Sequence, residues 1–145
     1  MTVVKSAPVR PGEAHVASQM GRLMQAIRST MAAEDWDGLR QSHFRMLSEV
    51  PPEGITITEL GERLSMTKQA SGQFVTHLTG TGHLQVRADP ADRRTRIVVR
   101  TPLGDRTAAA VAARIRQIED DWAERVGPRR YAQFRRVLDD LVDTL

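Results

Sequence analysis

The chain has 145 residues, enough for one domain with a real core, and its 40% hydrophobic and 27% charged content is that of an ordinary globular protein rather than a disordered one. It has no cysteine, which excludes disulfides, thiolate metal sites and cysteine-based peroxide sensing; no apolar run reaches transmembrane length, and MTVVKSAPVRPGEA is too weakly apolar for a signal peptide, so a cytoplasmic protein is expected. The net charge is only +3, but arginine supplies 19 of the 21 basic residues, and between Arg87 and Arg106 six arginines face three aspartates, so that one stretch carries about the whole net charge.

Residues 1–12 contain Pro8, Pro11 and Gly12 without periodicity and read as a flexible arm. From Glu13 to about Ala33 a helix is expected, with Val16, Met20, Leu23, Met24, Ile27 and Met31 as its apolar stripe. Such a stripe suits core or a subunit interface, and its methionines also suit an adaptable cavity. After Trp36 a second helix runs from roughly Gly38 to Val50, ended by Pro51-Pro52. Ile55-Thr56-Ile57 is a candidate short strand. Thr58 then reads as the N-cap of a helix to Leu64, and Ser65-Met66-Thr67 as a break. A further helix follows from about Thr67 to Thr79, with Ala70, Phe74, His77 and Leu78 inward. Two helices joined by so short a turn suit a helix-turn-helix, whose second helix enters the major groove.

Beyond Gly80-Thr81-Gly82, His83 to Arg87 and Arg96 to Arg100 read as strands, and Asp89 to Thr95 as a hairpin loop with a cationic tip. That is a winged helix. Thr101 and Pro102 open a long helix to about Arg125, with Val111, Ile115, Ile118 and Trp122 stepping 4, 3 and 4. Gly127-Pro128 breaks it. Arg129 to Leu145 forms a last helix on Tyr131, Phe134, Leu138, Leu141 and Leu145. These outer helices offer more apolar seam than a small winged-helix core can cover, so a second copy is expected to cover it. The fold expected is mainly α with a small β-hairpin wing: a winged helix-turn-helix at 55–101, flanked by dimerisation helices at 13–50 and 102–145.

The outward side of the 67–79 helix carries Gln69, Gly72, Gln73 and Thr76 at i, i+3, i+4 and i+7. Glutamine pairs with the adenine edge and threonine meets a thymine methyl. Thr67, Lys68 and Ser71 near the helix start are placed for phosphates or the first bases. Gly72 costs the helix about 1 kcal/mol relative to alanine, which suits a position where a side chain would hold the helix off the DNA. Arg87 and Arg96 are strand residues within reach of phosphates.

The run DPADRRTRIVVRTPLG, Asp89 to Gly104, closely resembles the wing signature of the MarR family of transcriptional regulators, and TELGERLSMTKQASGQFVTHLTGTGHLQVR before it fits that family's helix-turn-helix. The close match covers roughly residues 55 to 106. The resemblance implies a homodimer on a palindromic operator, often released by a small molecule. It puts the family's Asp-x-Arg on Asp92 and Arg94, with Arg94 the leading minor-groove residue and Arg93 the second. It also implies a cleft for a small anionic aromatic ligand, whose lining carries over by position to Met20, Met24, Trp36, Arg40, His43, Phe44 and Leu47. The same residues also suit plain core.

His15, His43, His77 and His83 are too scattered for a recognisable zinc site, and neither metal nor cofactor is implied. With no phosphate loop, nucleophile elbow or paired-carboxylate motif, an enzyme is not expected. The expected function is a homodimeric, sequence-specific DNA-binding regulator, a repressor in the first instance. The alternatives are a winged-helix protein-interaction module and a DNA-architectural protein of low specificity.

Overall fold

The computed structural model describes residues 14–145, so the arm expected over 1–12 and the expected helix start at Glu13 lie outside the described residues. The chain divides into a first unit ending at Asp35 and a second running from Trp36 to Leu145. The described residues of the first form helix α1, Val16–Ala32, opened by the Ser18 hydroxyl donating to the His15 carbonyl at 2.8 Å. Val16, Met20 and Met24 lie one turn apart along it and are exposed.

In the second unit, α2 spans Gln41–Glu49 and so begins three residues later than its apolar pattern suggests. Asp37 and Gly38 are the cause: both have positive φ, which a right-handed helix does not accept. The Nδ1 of His43 accepts the Arg40 N–H at 2.8 Å, satisfying one of the orphan donors at the helix start. Phe44, Met46, Leu47 and Val50 are buried and form the centre of the core with Leu60, Leu78 and Leu84.

Strand β1 is only Ile55–Thr56, and Ile57 already belongs to α3, Ile57–Leu64. The expected cap at Thr58 is therefore two residues late. Thr56 accepts the Glu59 N–H on its hydroxyl at 3.2 Å, while the Glu59 carboxylate takes the Thr56 N–H at 3.2 Å and its hydroxyl at 2.7 Å. This reciprocal box needs an acidic or amide side chain three residues on, which Thr56 has and Thr58, facing Gly61, lacks. Ser65 closes α3 at φ 54°, and the Met66 N–H returns to the Gly61 carbonyl at 2.8 Å. Thr67 caps α4, Lys68–Gly80, by accepting the Ala70 N–H at 3.1 Å.

Strands β2, Leu84–Ala88, and β3, Arg96–Arg100, complete a three-stranded antiparallel sheet in the order β1-β3-β2. Val98 is fully buried between Ile55 and Val86, its cross-strand partners. His83, expected in the first wing strand, precedes it: its N–H goes to the Leu78 carbonyl and its own carbonyl receives the Thr101 N–H. Helix α5, Pro102–Val126, is capped by Thr101, whose hydroxyl accepts the Gly104 N–H at 3.1 Å. On its seam Val111 and Ile118 are buried, Ile115 and Trp122 half-buried. Gly127 at φ 95° turns the chain into α6, Pro128–Val142, which ends before the expected Leu145. An Arg135–Glu119 ion pair at 2.7 Å ties α6 to α5, yet α6 buries none of its residues. No described helix is long and apolar enough to cross a membrane.

Candidate nucleic-acid interface

Helix α4 presents Gln69, Gln73 and Thr76 to solvent, with Gly72 between them. They line one side of an open groove of about 700 Å³, whose other side is Ile57 and, from the wing, Val86. A Cβ added at Gly72 would meet nothing within 4 Å, so in the free chain this position opens onto the groove. The Thr76 hydroxyl donates back to the Gly72 carbonyl at 2.9 Å, which leaves its lone pairs and methyl group for an incoming partner. Thr67 and Lys68 lie exposed at the helix start, where free N–H groups and the helix dipole favour an anion.

Two expectations on this helix are corrected. Ser71 does not face DNA: it is fully buried, because it packs where a Cβ on Gly61 of α3 would come within 2.6 Å of its hydroxyl. Two small residues let α3 and α4 approach closely, and the inward stripe is Ser71, Val75 and Leu78, one residue round from the expected one. His77, expected inward, is consequently exposed. Its ring stacks on that of His43 at 4.7 Å between centroids and 18° between planes, with Phe74 edge-on to His43 at 5.6 Å. Burial, then the charges of His77, Arg40 and His83, lower the His43 pKa, in keeping with Nδ1 serving as an acceptor.

The wing is built by its aspartates. Asp89 Oδ1 accepts the Ala91 N–H at 2.9 Å; Asp92 Oδ1 accepts the Arg94 N–H at 3.0 Å, and Oδ2 accepts the Thr95 hydroxyl at 3.2 Å. Asp92 thus orients Arg94 through the main chain of a tight turn rather than by gripping its guanidinium. Among the described residues the guanidinium groups of Arg87, Arg93, Arg94 and Arg96 make no hydrogen bond or ion pair, and all four side chains are exposed. The strand register puts Arg87 opposite Ile97 and Arg96 opposite Ala88, hence on opposite faces of the hairpin. Four unspent charges stand round a braced frame.

The joint between wing and body contains residues that the sequence reading passed over. Arg100, at the end of β3 with a side chain only 19% exposed, donates from Nη1 to the Leu47 carbonyl at 2.9 Å and from Nε to Asp105 Oδ1 at 2.7 Å. The Thr101 hydroxyl donates to the Gly82 carbonyl. Gly104 lies so close to the His83 carbonyl that no Cβ fits between them. The available signal was an arginine closing an apolar strand five residues before an aspartate.

Of the residues carried over as a ligand cleft, Leu47 is fully buried and Phe44 nearly so; both are core, and Trp36 packs edge-on to Phe44 at 5.2 Å. Arg40 is exposed and His43 half-buried, while Met20 and Met24 lie exposed on α1. Among the described residues no group of three or more histidines and acids is placed to hold a metal ion.

With this geometry in view, comparison with known proteins gives a consistent answer. The profile of the MarR family matches residues 37–95. A DNA complex of FabT from Streptococcus pneumoniae superposes with a TM-score of 0.73 at 11% identity, over 89% of this chain and 91% of that one. The PcaV transcriptional regulator of Streptomyces coelicolor, with its natural ligand, gives 0.69 at 21% identity over 95% and 98%. The MepR–DNA complex of S. aureus gives 0.71 at 14% over 92% and 100%. No curated protein sequence matches the chain.

Proposed function

We propose that this chain, whose residues 37–95 match the MarR family profile, is a homodimeric, sequence-specific DNA-binding regulator that represses from a palindromic operator. The observation that carries the reading is the set of unpaired, exposed arginines on a braced hairpin beside the polar face of α4. In this reading Gln69, Gln73 and Thr76 meet base edges in the major groove, Thr67 and Lys68 the adjoining phosphates. Arg94, with Arg93 beside it, enters the minor groove, and Arg87 and Arg96 brace the backbone on either face of the wing. The apolar side chains bared on α6, among them Phe134, Val137 and Leu141, support a second copy as the partner. A protein-binding module would have no use for such a cationic rim.

Repression follows from occupancy of a promoter, and release by a small anionic aromatic molecule would follow from any change in the separation of the two α4 helices. The test is to sequence the DNA that the purified protein selects from a random pool. An inverted repeat with half-sites about 10 base pairs apart, or a multiple, is expected. With six to ten phosphate contacts, affinity should fall about 10³- to 10⁵-fold between 50 and 200 mM salt. Enrichment without a repeat would leave an architectural protein, and no enrichment would overturn the reading.

A further inference from the structure

We propose that Arg100 is a positioning residue that locks the wing to α2 and α5 through one guanidinium, so that the separation of the two half-sites is read rigidly. The proposal rests on the DNA-binding dimer argued above. It begins with a carbonyl that has lost its partner. The Leu47 oxygen would accept, in a continuing helix, the N–H of residue 51, but that residue is Pro51 and has none. Arg100 Nη1 takes its place at 2.9 Å. The same planar group donates through Nε to Asp105, in the first turn of α5, at 2.7 Å. Its charge therefore sits at the negative end of α2, and that of Asp105 at the positive end of α5.

Slack is absent around this joint. The Thr101 N–H and hydroxyl hold the carbonyls of His83 and Gly82, and Gly104 abuts the His83 carbonyl. Helix α5 leaves the wing at Thr101, one residue after Arg100. A rotation of α5 must then carry the wing and α2 with it instead of being absorbed at the strand–helix junction. The Asp105 side chain is 62% exposed, and ion pairs with so exposed a partner add little to stability. Its effect should appear in geometry.

The experiment takes the operator selected from the random pool and inserts or deletes one base pair between its half-sites. Wild-type protein should prefer the matched spacing by about tenfold or more, and both Asp105→Asn and Arg100→Lys should reduce that preference about tenfold by losing affinity for the matched site alone. The melting temperature of Asp105→Asn should stay near that of wild type. Lysine keeps the charge but cannot fork to both partners, so its failure to rescue separates geometry from charge. Folded variants that retain the wild-type spacing preference would overturn the proposal. So would a wild-type protein that selects an operator yet accepts every spacing, which leaves the DNA-binding reading standing; a protein that selects no operator removes both.

Discussion

Two surfaces of this chain are left incomplete, and they are incomplete in opposite ways. Around the wing aspartate side chains and main-chain bonds between Asp89, Asp92 and Thr95 tie the turn, while among the described residues the side chains of Arg87, Arg93, Arg94 and Arg96 have no partner. Along α6 an ion pair to α5 is in place and the Asp143 N–H closes the last turn on the Asp139 carbonyl, while Phe134, Val137, Leu141 and Val142 lie bare. A charged group without a partner in water costs little and waits for a polyanion; an apolar face in water costs free energy continuously and has to be covered. On the proposed function the first surface serves reversible use and the second permanent association.

The strongest way to break this contrast is to put a charge on the apolar face. Leu141→Glu should give a monomer by light scattering and, by removing the second half-site contact, weaken operator binding about 10²-fold or more. If the variant stays dimeric, α6 is not the covering surface. Next in size are substitutions that loosen the frame without touching its charges. Gly104→Ala forces a methyl against the His83 carbonyl and should cost about 3 kcal/mol in urea unfolding. Gly61→Ala meets the yielding Ser71 hydroxyl at 2.6 Å and should cost about 1–2 kcal/mol. Equal costs would show that the α5 junction is softer than its geometry implies.

Within the polar surface, Gln73→Ala should cost about 1–3 kcal/mol of binding and relax base preference, whereas Arg94→Ala should weaken all sequences alike and lower the salt slope by about 1. A gel-shift series in which Arg94→Ala binds as wild type would take the wing out of the interface. The smallest effect concerns pH. Burial and neighbouring charges lower the His43 pKa, so the folded chain binds fewer protons there than the unfolded one. That stabilisation is present above the ordinary histidine pKa of about 6.5 and is lost as pH falls below it. The denaturation midpoint of wild type should decline over that interval more than that of His43→Gln.

Much of this was legible because chemistry and spacing coincide at particular residues. Thr101-Pro102 marks a helix start by a capping side chain and a ring that needs no N–H, and α5 begins there. The wing could be read from Asp89-Pro90 and Asp92 followed by Arg93, Arg94 and Arg96, between two strand patterns. What escaped the reading depends on shape rather than polarity. Ser71 looks like a surface residue until the missing Cβ of Gly61 makes room for it, and that single packing event turns the whole inward stripe of α4 and brings His77 to the surface. Thr56 and Thr58 are equally good caps alone; Glu59 decides between them. Arg100 sits in an apolar run, and its partner carbonyl is orphaned by a proline 49 positions earlier, a relation that no local pattern contains.

Among the described residues the strand order β1-β3-β2 leaves β2 paired on one flank only, with Val86 partly bare in its middle. An unpaired flank of this kind is a template on which another extended chain can add, and proteins deter that by shortness and by charge. Five residues in length and followed by the guanidinium-rich tip, β2 has both defences. The groups suited to gripping nucleic acid thus double as gatekeepers against edge-to-edge aggregation, and neutralising several at once should cost solubility along with affinity.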